Sequence, residues 1–304
     1  MNLFDRTVAE ALRNQQGLAP LRPVVEKELL HHDILREMGS AGLLARLTFI
    51  GGTCLRACYG SHRLSEDLDF AGGADFARGT LAGFGPALVA SLQAKYGLRA
   101  EVGEPRRAEG DVDTWKVRIQ TRPERPDLPV QRIHVDVCAV PSRDPRPMWL
   151  RNPYGVEMGT SGLIVQAASR EEILADKLVA LALRPNRPKH RDLWDLVWLR
   201  QQGVALPLHL LPDKIADHHR VPAEFRERLG ERRDQLAGDA SLRQGFETEM
   251  RRFLPPDLAA DTIAKPEFWR YLASEIHSQC EEALRFLVRG AGGGGAAARP
   301  NFEC

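Results

Sequence analysis

The sequence predicts an α/β chain of the α+β kind, with a mixed sheet flanked by helices and a mostly helical C-terminal half. Three observations predict it. Short apolar or alternating runs that suit strands fall between residues 47 and 140. Apolar stripes at helical spacing dominate from residue 171 onward. Between them, the stretch PSRDPRPMW (141–149) holds three prolines, which helix interiors and central strands do not accept. The expected layout is an N-terminal helical segment over 1–46 packing on the core and a sheet core over 47–150. A helical domain over 151–289 then completes the site, and a disordered tail follows over 290–304.

Taken in order, Val24, Val25, Leu29, Leu30 and Ile34 make a helical stripe. His31 and His32 are adjacent, point in different directions and read as surface polar groups. LTFIGG (47–52) reads as a strand, TCLRACYG (53–60) as a helix and DLDF (67–70) as a second strand. Residues 72–79 are loop-like. A helix over 81–96 carries Leu88, Leu92 and Tyr96 at four-residue intervals. Residues 114–121 alternate Trp115, Val117 and Ile119 with Lys116, Arg118 and Gln120, a half-buried strand. Residues 132–140 alternate Ile133, Val135 and Val137 with His134, Asp136 and Cys138, so the two runs are an antiparallel pair or near neighbours. Leu174, Leu178 and Leu181 line one helix face; Leu193, Leu196, Val197 and Leu199 line the next. Residues 217–231, 242–253 and 266–287 also read as helices. The Gly/Ala-rich run 290–298 cannot bury a core. No internal repeat is evident.

Composition narrows the function classes. Forty-two Lys and Arg against 41 Asp and Glu leave a net charge of +1, so nothing drives the whole chain towards nucleic acid. A polyanion site must come from local clusters: Arg184, Arg187, Lys189, His190 and Arg191, and more weakly Arg143, Arg146 and Arg151. Five cysteines without paired spacing argue against a disulfide framework, and Cys54 and Cys58 read as buried thiols. With no secretory signal or membrane-length apolar run, the chain reads as cytoplasmic, with no membrane partner.

The most informative stretch is FIGGTCLRACYGSHRLSEDLDF, residues 49–70. Adjacent glycines let a backbone approach a ligand, and a following helix N-terminus favours phosphate. Asp67 and Asp69, two apart in an extended segment, project to one side and can share a hard cation, with Leu68 and Phe70 facing the core. A phosphate cradle beside paired carboxylates suits metal-dependent phosphoryl chemistry. Without that chemistry the same residues would be a turn and a solvated acidic hairpin.

The order Gly-Gly-Thr, helix, Asp-x-Asp resembles the signature of the DNA polymerase β-like nucleotidyltransferase superfamily. With Tyr59, Gly60, Arg63, Ser65 and Glu66 included, it resembles the AbiEii/AbiGii toxin family. A second block strengthens the likeness: REEILADKLVALALR (170–184), then RDLWDLVWL (191–199), presents Glu172, Lys177, Arg184, Arg191, Asp192 and Asp195 in the family's order. The likeness spans roughly residues 40–200, and nothing after about 205 is recognised.

The resemblance implies a nucleotidyltransferase-fold sheet and an enzyme that moves a nucleoside monophosphate from an NTP to an acceptor hydroxyl with Mg²⁺. Asp67 and Asp69 are the expected metal ligands. Asp136 is the candidate third, the alternative being a solvent-facing edge-strand carboxylate. Gly51, Gly52 and the Thr53 hydroxyl would hold the β- and γ-phosphates. Lys177 would meet the triphosphate, unless it is a surface lysine paired with Glu172 or Asp176. Asp192 is the favoured catalytic carboxylate of its helix, with Asp195 a helper or structural partner. Arg63, Ser65 and Arg191 would contact the nucleotide or orient carboxylates. The implied setting is the toxin of a bacterial toxin–antitoxin, abortive-infection system, with tRNA as acceptor and a cognate antitoxin encoded nearby. The alternatives are a small-molecule or protein acceptor, or a non-catalytic nucleotide-binding regulator. Retention of both the Asp pair and the glycine motif counts against the last.

Overall fold

The computed structural model describes residues 2–105, 112–125 and 127–292. Helix α1 (Leu3–Asn14) starts where the Asn2 side chain accepts the Asp5 N–H, and α2 (Arg22–Ser40) starts with Pro23 in its first turn, where no N–H is missed. Then come β1 (Thr48–Ile50), α3 (Gly51–Tyr59), β2 (Leu68–Ala71) and α4 (Phe84–Tyr96). Strands β3 (Arg99–Gly103), β4 (Val112–Gln120), β5 (Gln131–Cys138), β6 (Pro145–Trp149) and β7 (Ile164–Ala168) follow. Helices complete the chain: α5 (Arg170–Leu183), α6 (His190–Gln201), α7 (Leu211–Asp217), α8 (Pro222–Gly238), α9 (Ala240–Met250), α10 (Pro256–Asp261) and α11 (Pro266–Gly292).

Among the described residues the strands form one mixed sheet in the order β3-β4-β5-β2-β1-β7-β6. β2 runs parallel to β5 and β1 parallel to β7; the other neighbours are antiparallel. One face is apolar: Phe49 of β1 stacks on Phe70 of β2 with ring centroids 5.2 Å apart, and Ile133, Val135 and Val137 continue that layer across β5. α2 packs on β5 and α4, while α3 touches both the sheet and the helical half through α5 and α6. α5 packs against α6 and α8, and α11 against α8 and α6, so the helical half is built on the two helices that pack against α3.

Several expectations need correction. The sheet does not stop at residue 150: β7 pairs with β1, and β6 is its outer neighbour. The prolines that made 141–149 read as loop are compatible with β6 because it is an edge strand, where missing N–H donors face outward. β3, the other edge, was not legible either. The helix expected over 217–231 begins later and runs further, as α8 from Pro222 to Gly238, while Asp217 ends the separate helix α7. His31 and His32 are buried, not surface groups. His31 Nε2 lies 3.0 Å from the Glu66 carbonyl and His32 Nδ1 2.7 Å from Thr160 Oγ1. Burial holds both imidazoles below their ordinary pKa, His32 at about 4. α11 runs to Gly292, and the rest of the expected tail, 293–304, lies outside the described residues. No described helix is long and apolar enough to cross a membrane.

Candidate active site

The cleft begins where β1 turns into α3. Gly51 has φ +75°, and a Cβ there would lie 2.8 Å from Asp69 Oδ2. Only glycine both takes that turn and leaves room for the carboxylate. A Cβ on Gly52 would fall inside the Arg63 guanidinium, closer than real Cβ contacts come. The first turn of α3 has no side-chain cap, so its leading N–H groups remain available to an anion.

The register of β2 and β5 sets Asp69 beside Asp136. Both are half-buried and line a cleft of about 260 Å³. Burial, then the Asp136 charge, push the Asp69 carboxyl up to about 6 against the opposing pull of Lys177 and Lys189. Asp136 Oδ1 is buried with no hydrogen-bond partner among the described residues. An unpartnered acceptor beside a second carboxylate is costly alone and suits a hard cation. Asp67 lies just before β2, lines the same cleft, and its Oδ1 accepts the His134 backbone N–H at 3.0 Å. Among the described residues no three His, Cys, Asp or Glu side chains stand together as a ready-made metal cage.

Thr53 does not offer its hydroxyl to a ligand. It is buried, donates to the Asp67 carbonyl and bonds Ser65 Oγ at 2.7 Å, so it staples α3 to the segment leading into the Asp pair. Ser65 lines the cleft, and its N–H donates to Glu28 of α2 at 2.9 Å. Arg63 is likewise internal. Its Nε and Nη2 donate to Asp195 Oδ1 and Oδ2 at 2.9 and 2.8 Å, with both side chains buried.

From α5, Lys177 reaches Asp192 Oδ1 and lies 3.0 Å from Asp195 Oδ2, not against Glu172 or Asp176. Burial alone would lower the Lys177 pKa, yet Asp192 and Asp195 hold it above its ordinary value. Burial would raise that of Asp192, yet Lys177 and Arg184 hold it below. Asp192 lines the cleft; Asp195 sits behind it as the joint between Arg63 and Lys177. Arg184 Nη2 lies 3.2 Å from Asp192 Oδ2, an oxygen that has no hydrogen bond of its own. Glu172 accepts the Ser142 hydroxyl and the Arg143 and Asp144 N–H groups, tying α5 to the loop after β5.

The basic run is not one exposed loop. His190 is buried with Nδ1 2.8 Å from Glu249 Oε2, and Arg191 lies over the Phe253 ring, 3.4 Å from Glu249. Arg143 pairs with Asp217, and Arg151 donates to the Cys58 carbonyl. Lys189 is the cleft-lining cation with no ion-pair partner among the described residues. Nothing in its local sequence separated it from its neighbours, because the difference lies in which carboxylates the fold brings near.

A sequence profile of the nucleotidyl transferase AbiEii toxins of type IV toxin–antitoxin systems matches residues 33–274. The chain belongs to that family. The match extends some seventy residues beyond the last recognised motif and so takes in α7–α10 and the start of α11. This AbiEii-family chain is therefore a nucleotidyl-transfer enzyme, and type IV membership implies a cognate antitoxin. Among solved structures, JHP933 from Helicobacter pylori is similar at 16% identity and TM-score 0.44, over 88% of this chain and 95% of that one. A candidate nucleotidyltransferase from H. pylori is similar at 17% identity and TM-score 0.44, over 86% and 97%. No curated protein matches the chain.

Proposed function

We propose that this AbiEii-family enzyme transfers a nucleoside monophosphate from an NTP to a hydroxyl of tRNA, with Mg²⁺, as a toxin in phage defence. The observation that carries the reading is the meeting of Gly51, Asp69 and Asp136 at one cleft that the uncapped N-terminus of α3 and Lys189 also line. Asp69 and Asp136 would hold the metal, with Asp67 beside them. Mg²⁺ keeps waters and phosphate oxygens in its shell, so two carboxylates suffice without a closed cage. When bound, it neutralises triphosphate charge and eases ionisation of the attacking hydroxyl.

The chain's own residues have separate tasks. The α3 N–H groups and Lys189 bind phosphate oxygens. Lys177, locked between Asp192 and Asp195, fixes the positive rim of the cleft. Asp192 holds Lys177 and Arg184 in place. Support for RNA as acceptor is the exposed pair Arg187 and Lys189 beside the cleft mouth.

The test is incubation of the purified chain with each α-labelled NTP, Mg²⁺ and total RNA or total protein, followed by identification of the labelled species. Label in tRNA that disappears with Asp69→Ala is expected. Label in protein or a small molecule would replace the acceptor, and full transfer by Asp69→Ala would remove the metal assignment.

A further inference from the structure

We propose that Asp176 selects the nucleobase, admitting NTPs whose base carries an exocyclic amine and rejecting uracil. The inference rests on the nucleotidyl-transfer reading of the cleft and adds the site of base recognition.

The cleft is longer than its phosphate end requires. Along α5, Arg184 and Asp176 are eight residues apart, on the order of 12 Å at the helical rise. Along β5 and just beyond, Asp136, Cys138 and Val140 all line the cleft. At strand rise, Cys138, the last residue of β5, lies on the order of 7 Å past Asp136, and Val140 follows beyond it. A ribose and base fit that length beyond the carboxylates. The far end is also apolar where a base would stack: Ile173 precedes Asp176 by one turn of α5, and Val140 and Pro141 face the same space.

Asp176 is set among those walls, in a cleft that Glu172, Lys214 and His218 also line. Its Oδ1 lies 2.8 Å from Lys214 Nζ, and its side chain keeps 30% exposure. Lys214 is almost enclosed, at 6%, and also donates to Glu172. It therefore acts as a clamp on the carboxylate and not as a ligand group. Glu172 already satisfies that lysine while holding the loop after β5. No second partner for Asp176 occurs among the described residues, so its other oxygen is available to the cleft. Burial, opposed by Lys214, pushes the Asp176 carboxyl up to about 6, which leaves it ionised at pH 7.5.

An ionised carboxylate only accepts hydrogen bonds. Cytosine and adenine offer N4–H₂ and N6–H₂, and guanine N2–H₂, whereas uracil puts its O4 carbonyl where cytosine has the amine and keeps a donor only at the neighbouring N3. Two facing acceptors without a hydrogen between them lose the bond and leave both oxygens desolvated. CTP and UTP match in shape and differ at that position, so they are the decisive pair.

The experiment uses the full chain with Mg²⁺ and measures kcat/KM for CTP and UTP, and binding of each without acceptor. CTP should be favoured by about tenfold or more, the discrimination expected from one well-placed polar contact. Asp176→Asn can turn an N–H towards O4, and should lower the CTP/UTP ratio by about tenfold. The triphosphate of the 4-unsubstituted pyrimidinone riboside lacks only the amine. It should bind the unaltered protein clearly more weakly than CTP, a test that needs no variant to fold. Equal binding of CTP and UTP, an unchanged ratio in Asp176→Asn, or pyrimidinone binding equal to CTP would each overturn the proposal. If no NTP is transferred yet the binding preference holds, the transfer reading fails and the base site stands. If no nucleotide binds, both fail.

Discussion

Replacing Gly52 by alanine tests the link between the glycine motif and the interior. The added Cβ would coincide with the Arg63 guanidinium. Arg63 cannot swing aside cheaply, because its fork is bonded to Asp195 at 2.8 and 2.9 Å and both side chains are buried. Displacing it breaks a buried ion pair, which costs about 3–5 kcal/mol when one partner is lost. Alanine is the better helix former by about 1 kcal/mol, so the net loss should be roughly 2–4 kcal/mol. At about 2–4 °C per kcal/mol for larger domains, Tm should fall by roughly 4–16 °C. Thermal and urea unfolding measure this directly. A double-mutant cycle identifies the cause: in an Arg63→Ala/Asp195→Ala background nothing remains to be displaced, so Gly52→Ala should be neutral or slightly stabilising. An equal loss in both backgrounds would refute the steric argument, as would an unaltered Tm in the single variant.

Lys177→Met should both abolish transfer and lower Tm, because it removes the cation shared by buried Asp192 and Asp195 while Arg184 and Arg63 still pair with them; about 1.5–3 kcal/mol is expected. Inactive protein of unchanged Tm would contradict the buried placement. Asp69 has a folded pKa of about 6 against an ordinary 3.8, so folding favours its protonated form, and its contribution to stability is lost as pH rises from about 4 to about 6. Buried His31 and His32, held below their ordinary pKa, work with the opposite sign over the same range, so the readout is a difference: between about pH 4 and 6 the Tm of metal-free Asp69→Asn should rise relative to that of the unaltered protein; a pH profile identical in both proteins would count against it. If RNA is bound at the cleft mouth, Arg187→Gln with Lys189→Gln should flatten the slope of log K against log salt by roughly 1.4–1.8, the yield of two phosphate contacts. His190 is left intact in that test because it is buried against Glu249. An unchanged slope removes the loop from RNA binding.

What could be read in the sequence was what local chemistry specifies. Alternation located β4 and β5, and with it the face on which Asp136 stands. The glycine turn and the two-residue spacing located Gly51 and Asp69. The helical stripes located α5 and α6. What could not be read was pairing at a distance. Thr53 beside two glycines resembles a phosphate ligand until the fold supplies the Asp67 carbonyl and Ser65 as partners. His31 and His32 resemble surface groups until Glu66 and Thr160 arrive from elsewhere in the chain. Edge strands β3 and β6 are five residues each and bury no side chain fully, so the short alternation of β3 and the prolines of β6 gave no strong strand signal.

The two sequence blocks that carry the family likeness turn out to be joined by charge. Gly52 yields its side-chain space to Arg63; Arg63 grips Asp195; Asp195 and Asp192 share Lys177; and Asp192 reaches Arg184. Each charged member is at least half buried, so removing one exposes its neighbour to a low-dielectric surrounding. Such a chain is a poor way to gain stability, because desolvation offsets most of the attraction. It is a good way to fix positions: Asp195, Lys177 and Asp192 each have two charged partners in the chain. The sheet half holds the carboxylates and the α3 N-terminus, and the helical half holds Lys177, Arg184 and Lys189. A cleft assembled from both needs the halves registered to within a hydrogen-bond length, and the Arg63–Asp195 fork supplies that registration directly behind the glycines.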